Sequence, residues 1–308
     1  MKNLLLNCAL TTVALTLSAF GAPMATPALA QQTPAPAVET VDVDPALWMV
    51  KDADTTVYLF GTVHILKPGM GWFDEAVKQA FDRSDRLVLE MVQPDAATSQ
   101  QLFAKYGLDT SGKPLTSKMT EDEKAIYAKA MEKVGLPVAA FEPLDPWAAA
   151  VTMQVVGLQK GGYDVNSGVE TQLTAAANAT KKPISGVETM ESQLAIFDGL
   201  SQETQIKFLV EGAKVVDQMN ATMDNMVSLW AKPDPEGLAQ LMNDGMSDPA
   251  LYAALLTNRN ANWAAWINEQ MKKPGTTFMA VGAGHLAGST SVQHLLSAYG
   301  IQATRIDY

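Results

Sequence analysis

The chain has 308 residues, with 33 acidic against 22 basic side chains, a formal charge of −11 and a single cysteine. That balance excludes nucleic-acid and anionic-membrane partners, which need clustered Lys and Arg. With Cys8 inside an apparent leader, disulfides and thiolate metal ligands are excluded from the remaining chain as well.

The leader is expected over residues 1–30. Lys2 supplies a positive start, Leu4 to Phe20 is mostly apolar, and Ala28-Leu29-Ala30 forms an A-x-A cleavage site ahead of Gln31. Removal after Ala30 implies a periplasmic or secreted product, one charge more negative than the full chain. Residues 31–44, with Pro34 and Pro36, read as a flexible tether. Nothing later approaches the ~20 unbroken apolar residues of a spanning helix, so no stable membrane insertion is expected.

Ala46 to Val50 and Val57 to Phe60 read as a hairpin turning at Lys51 to Asp54. Gly61-Thr62-Val63-His64 follows the second strand. Asp74 starts a helix to Ser84, and Arg86-Leu87-Val88-Leu89-Glu90 is a buried strand that ends on a carboxylate. Thr120 and Glu123 form a capping box for a helix stopping at Gly135. Val138 to Phe141 reads as a further strand, and Asp145-Pro146 opens a helix ending at Gly161-Gly162. A helix over Val169 to Asn178 leads to a strand-like run, Lys182 to Glu188, again closing on a glutamate. Ser201 caps a long helical stretch to Trp230 that carries Met219, Met223 and Met226 at helical spacing. Asp234-Pro235 and Asp248-Pro249 begin two more helices, and Asn258 to Lys273 another. Thr277 to Val281 then runs into Gly282-Ala283-Gly284-His285, before a helix around Ser291 to Tyr299 and a last strand to Ile306.

Strands and helices alternate at both ends, while the middle is helical. The expected fold class is α/β: a central β-sheet flanked by helices, in a single domain over residues 45–308. Its helix-rich middle, about residues 95–275, is expected to form a cap or subdomain.

Two turns of form GxxH therefore hold two of the three histidines. Ligands of open α/β sheets bind beyond the carboxyl ends of the strands, so parallel strands would aim His64 and His285 into one crevice. Glu90 and Glu188 end apolar runs in the same way. Two imidazoles with one or two carboxylates suit a catalytic divalent ion, with a position left for water and a nearby carboxylate as base. Gly61, Gly282 and Gly284 would let backbone approach closely or adopt a positive φ. Blander readings stand beside these. A histidine after a strand can be structural, Glu188 can simply begin the next helix, and Glu170 lies in a first helical turn. Arg259 is either an anion anchor or a solvated helix residue, and the methionines read as packing rather than a copper site. His294, mid-helix, falls outside the site.

Tyr58 to His64, Leu87 to Glu90, Pro183 to Thr189 with Gln193-Leu194, Arg259-Asn260 and Ala280 to His285 together resemble the TraB/GumN family. That family includes the animal Tiki proteases and is related to erythromycin-esterase-like and ChaN-like proteins. The resemblance spans Leu47 to Ile306, and the family's paired histidines and strand-end glutamate fall on His64, His285 and Glu90. It implies metal-dependent peptide hydrolysis with manganese, cobalt or zinc, His64, Glu90 and His285 being the metal ligands. Glu188 or Glu170 would then serve as base or further ligand, and Arg259 would orient a substrate carboxylate or oxyanion. Where the family often has Gly-Leu-Asp, this chain has Gly168-Val169-Glu170. The competing function is a non-catalytic protein that sequesters a peptide, a metal or haem in the same crevice.

Overall fold

A computed structural model describes residues 40–245 and 248–307. The expected leader and its cleavage site lie outside these residues. Of the expected tether, Val41–Asp42 forms a short strand, β1, whose parallel partner is Met70–Gly71.

The main sheet uses β2 (Leu47–Lys51), β3 (Thr55–Thr62), β5 (Arg86–Met91), β6 (Ile184–Glu188), β7 (Gly275–Gly282) and β8 (Thr304–Ile306), with Met70–Gly71 counted as β4. Their order is β6-β5-β7-β3-β2-β8. The first four are mutually parallel, and β2 and β8 join antiparallel at one side. The expected hairpin is β2 with β3.

Side chains alternate across a strand, so this sheet has two buried faces. Tyr58, Phe60, Leu87, Leu89, Phe278 and Ala280 point into one continuous core shared with the middle helices, including Trp147, Leu158 and Leu209. Val57, Leu59, Val88, Met279 and Val281 point the other way, against Trp263 and Ile267 of helix Asn258–Gln270 and against Val292 and Leu296. The helical middle thus packs directly on the sheet, most of it on one face and helix Asn258–Gln270 on the other. Among the described residues, no helix is long and apolar enough to cross a membrane.

Three local expectations change. Val138–Phe141 is a 3₁₀ turn, not a strand. Pro137 precedes it, only one of its four residues is β-branched, and burial of Phe141 needs no sheet partner. The long stretch after Ser201 breaks at Val215 into helices Gln202–Lys214 and Met219–Ala231. Conversely, the helix begun at Pro249 continues through a π-helical segment, Ala253–Thr257, into Asn258–Gln270. That segment sets the phase of the next turn, where Arg259 sits.

Candidate functional site

In the β3/β7 register Thr62 pairs with Gly282 and Gly61 with Val281, so both strands end at the same level. On the other side of β7, β5 pairs Leu89 with Ala280, which leaves Glu90 beside the end of β7. The three side chains expected from the GxxH turns and the strand-end glutamate meet over Gly282. A Cβ at that position would lie 3.0 Å from Glu90 Oε1, 3.4 Å from His64 Nε2 and 3.5 Å from His285 Cδ2. Gly282 keeps open the small space these groups share. Gly61 serves close approach too, its Cβ position being 3.1 Å from Ala283. None of Gly61, Gly282 and Gly284 has a positive φ, which leaves close approach as the role of Gly61 and Gly282.

His64 is held from its Nδ1 side. Glu170 Oε1 lies 2.5 Å from His64 Nδ1 and also accepts from the Thr62 hydroxyl. Backbone bonds bring that carboxylate in: Val169 N–H donates to Val63 O at 3.1 Å, and Leu66 pairs with Asp164. Gly168 makes the approach possible. Its φ of −61° suits any residue, but a Cβ there would overlap the His64 carbonyl oxygen. Gly168→Ala is therefore expected to separate the helix start from the β3 turn at a cost of about 1–3 kcal/mol. The His64 ring signals in NMR should shift with the loss; an unchanged melting point and unchanged ring signals would refute this reading.

His285 is likewise held at Nδ1. Asn260 donates from Nδ2 to Thr290 O at 2.7 Å, which turns its Oδ1 to accept Nδ1–H of His285 at 2.5 Å. This fixes the tautomer, so Nε2 carries a lone pair and accepts from Arg259 Nη1 at 3.1 Å. Trp263 packs on the ring at 4.3 Å between centroids. Burial and the Arg259 charge push the His285 pKa down to about 3. At His64 burial also opposes charging, but Glu170, with help from Glu90, outweighs it and raises the pKa above the ordinary imidazole value. The two rings are thus electrostatically unlike.

Glu90 is 3 % exposed. Its Oε1 accepts from Gly282 N–H at 2.7 Å, and its Oε2 from Arg259 Nη2 at 2.7 Å and Gln193 Nε2 at 3.2 Å. Burial favours the neutral acid, yet Arg259 overrides it and holds the carboxyl at about 2. Glu188 meets the same cation. Both its oxygens are engaged, by Arg259 at 2.7–3.1 Å, by Gln193 Nε2 at 2.7 Å and by Trp263 Nε1 at 3.0 Å. Glu188 accordingly stands as the counter-charge of Arg259, not as a base facing the crevice.

Arg259 is 5 % exposed, which overturns the solvated reading. Its Nε and Nη2 serve Glu188 and Glu90, while Nη1 serves His285 and the Leu255 carbonyl of the π-helical segment. Five N–H groups meet five acceptors in this arrangement, all of them within the protein. Arg259 is a clamp.

Sequence reasoning missed Asn260, Trp263 and Gln193 as members of the site. A signal for two of them exists: helix Asn258–Gln270 carries Arg259, Asn260 and Trp263 on its buried face, where two polar side chains need partners. His294 is exposed and outside the site, as expected.

Thr62, His64, Glu90, Gly282, Gly284 and His285 form one wall of a narrow cavity that opens to solvent. As the side chains stand, no group of three or more His, Cys, Asp or Glu among the described residues is arranged to hold a metal ion. The obstacle is local: Arg259 caps His285 Nε2, and Glu90 is turned to Arg259 and Gly282. The donor chemistry nevertheless fits an ion. Two imidazoles anchored at Nδ1 present Nε2 near one carboxylate oxygen, and the Cβ-less Gly282 leaves room among them.

A model of the TraB/PrgY/gumN family matches residues 46–305. The chain is 24 % identical over 253 residues to the uncharacterized protein YbaP of Escherichia coli (strain K12), covering 82 % of this chain and 92 % of that one. YbaP of Shigella flexneri matches to the same extent. An uncharacterized protein of Treponema pallidum (strain Nichols) is 19 % identical over 263 residues, 80 % of this chain and 78 % of its own length. No solved structure matches the chain.

Proposed function

The chain belongs to the TraB/PrgY/gumN family, and within that family we propose that it is an exported, metal-dependent hydrolase acting on peptide bonds. The observation that carries the reading is the paired anchoring of the imidazoles: each Nδ1 is fixed, by Glu170 or by Asn260, beside one strand-end carboxylate. Outer partners of this kind set the tautomer of metal-ligating histidines. His64, His285 and Glu90 would hold the ion. Manganese, cobalt and zinc are its candidates, and when bound it would polarise a carbonyl and make water a nucleophile near neutral pH.

The remaining steps belong to the protein. Glu170 keeps His64 in one tautomer, and its second oxygen lies outside both of its bonds, so it can take a proton during turnover. Glu188 neutralises Arg259, which in turn keeps Glu90 ionised. For Arg259 to free His285 Nε2 it must exchange one hydrogen bond, a small rearrangement within a network that keeps its other four. Export is proposed on the leader sequence alone.

The test is chelation followed by metal re-addition, with an unbiased peptide mixture read by mass spectrometry. Cleavage should vanish on chelation and return with manganese, cobalt or zinc. Peptides recovered intact with every metal across several pH values would assign the crevice to a binding protein instead.

A further inference from the structure

We propose that the methionine-lined half of the site cavity is a specificity pocket, which selects peptides carrying a large apolar side chain beside the bond to be cut. The proposal rests on the peptidase reading and names the substrate class for it.

The cavity has two chemically opposed walls. All of its ionisable groups lie on the strand-end wall, at His64, Glu90 and His285. The facing wall is Met223, Met226, Trp230, Leu238 and Met242, and it contains no charged side chain. Met223, Met226 and Trp230 follow i, i+3, i+7 on helix Met219–Ala231, and Leu238 and Met242 follow i, i+4 on helix Pro235–Gly245. Each is therefore aimed from the helical middle toward the sheet. Trp230 uses its one donor internally, Nε1–H bonding the Gly61 carbonyl at 2.8 Å. That bond ties the apolar wall to the β3 turn bearing His64.

A helix face in an ordinary core would be filled by its neighbours. This one is only 2–7 % exposed at its five residues, and that narrow opening is shared with the candidate catalytic groups. A charged or amide side chain placed there would lose water and find no partner on the wall, whereas an apolar one gains. Three thioethers with flexible stems let the pocket fit Met, Leu or Phe without a fixed shape. A side chain seated in this half holds its own backbone against the strand-end wall, which is where the carbonyl must be.

The experiment compares peptides that differ at one position next to the cleaved bond, with the metal-loaded full-length chain. Met, Leu or Phe should be favoured over Ala or Asp by about 10–100-fold in kcat/KM. Met226→Ala enlarges the pocket and should move the optimum toward Phe or Trp, a gain that misfolding does not produce. Binding of the same peptides is measured in parallel by calorimetry with His64→Ala. Cleavage without preference between apolar and charged side chains overturns the pocket and leaves the peptidase standing. Apolar-selective binding without cleavage supports the pocket and overturns the hydrolase. Neither binding nor cleavage overturns both.

Discussion

Arg259→Met is expected to destabilise the fold by about 3–5 kcal/mol, since it leaves Glu90 and Glu188 buried without their counter-charge. Glu90 is 3 % exposed and its side chain sits 2.7 Å from the guanidinium, so water cannot replace what is lost. Glu188, at 14 % side-chain exposure, recovers some solvation and contributes less to the cost. The Leu255 carbonyl loses a donor at the same time. For a domain of this size, the loss corresponds to a fall of roughly 10 °C in Tm. Sign follows from the same charges. Arg259 holds the Glu90 pKa at about 2, against an ordinary 4.5, so its stabilisation is complete above pH 4.5 and disappears as pH falls toward 2. Arg259→Met should therefore be closest to the parent in acid and furthest from it at neutral pH. Adding Glu90→Gln and Glu188→Gln should recover more than half of the loss, because the uncompensated charges go with them. A variant melting within about 2 °C of the parent at pH 7 would show that the clamp carries no stability.

Much of this arrangement was legible in the chain, and the reasons differ by element. The hairpin, the Thr120 capping box and the two GxxH strands are local patterns, read over short stretches of chain and needing no knowledge of partners. That His64, Glu90 and His285 converge followed from one topological rule, since parallel strands of one sheet end together. Roles were harder to read than places. Glu188 ends a strand just as Glu90 does, and only the position of Arg259, 71 residues later, makes it a counter-charge rather than a base. Arg259 in turn owes its burial to a helix whose phase is set by the π-helical segment ahead of it, which no helical period reveals. Val138–Phe141 failed because four apolar residues fit a strand and a 3₁₀ turn equally well. Met223 and Met226 were rightly placed on one helix face. What that face borders depends on the sheet, and so the cavity stayed out of sight.

The second large effect concerns the ion. His64→Ala and His285→Ala should each lower metal affinity by well over 100-fold, whereas Glu170→Gln and Asn260→Leu, which only orient the rings, should cost about 10–100-fold. Inner and outer changes are thus separated by rank, and a uniform loss through misfolding would not reproduce it. The unlike environments of the two rings add a proton count. His285, at about 3, and Glu90, at about 2, are deprotonated well before neutrality. His64 differs: burial opposes its charge, but Glu170 outweighs that and raises its pKa above the ordinary imidazole value. On metal binding near neutral pH the three ligands should then release one proton at most between them, and affinity should climb with pH through the His64 pKa. Calorimetry in two buffers of different ionisation enthalpy counts that proton, and His64→Ala should abolish its release. Stoichiometric metal retained by His64→Ala, or a proton count unchanged by that substitution, would remove His64 from the ligand set and with it the metal reading of the crevice.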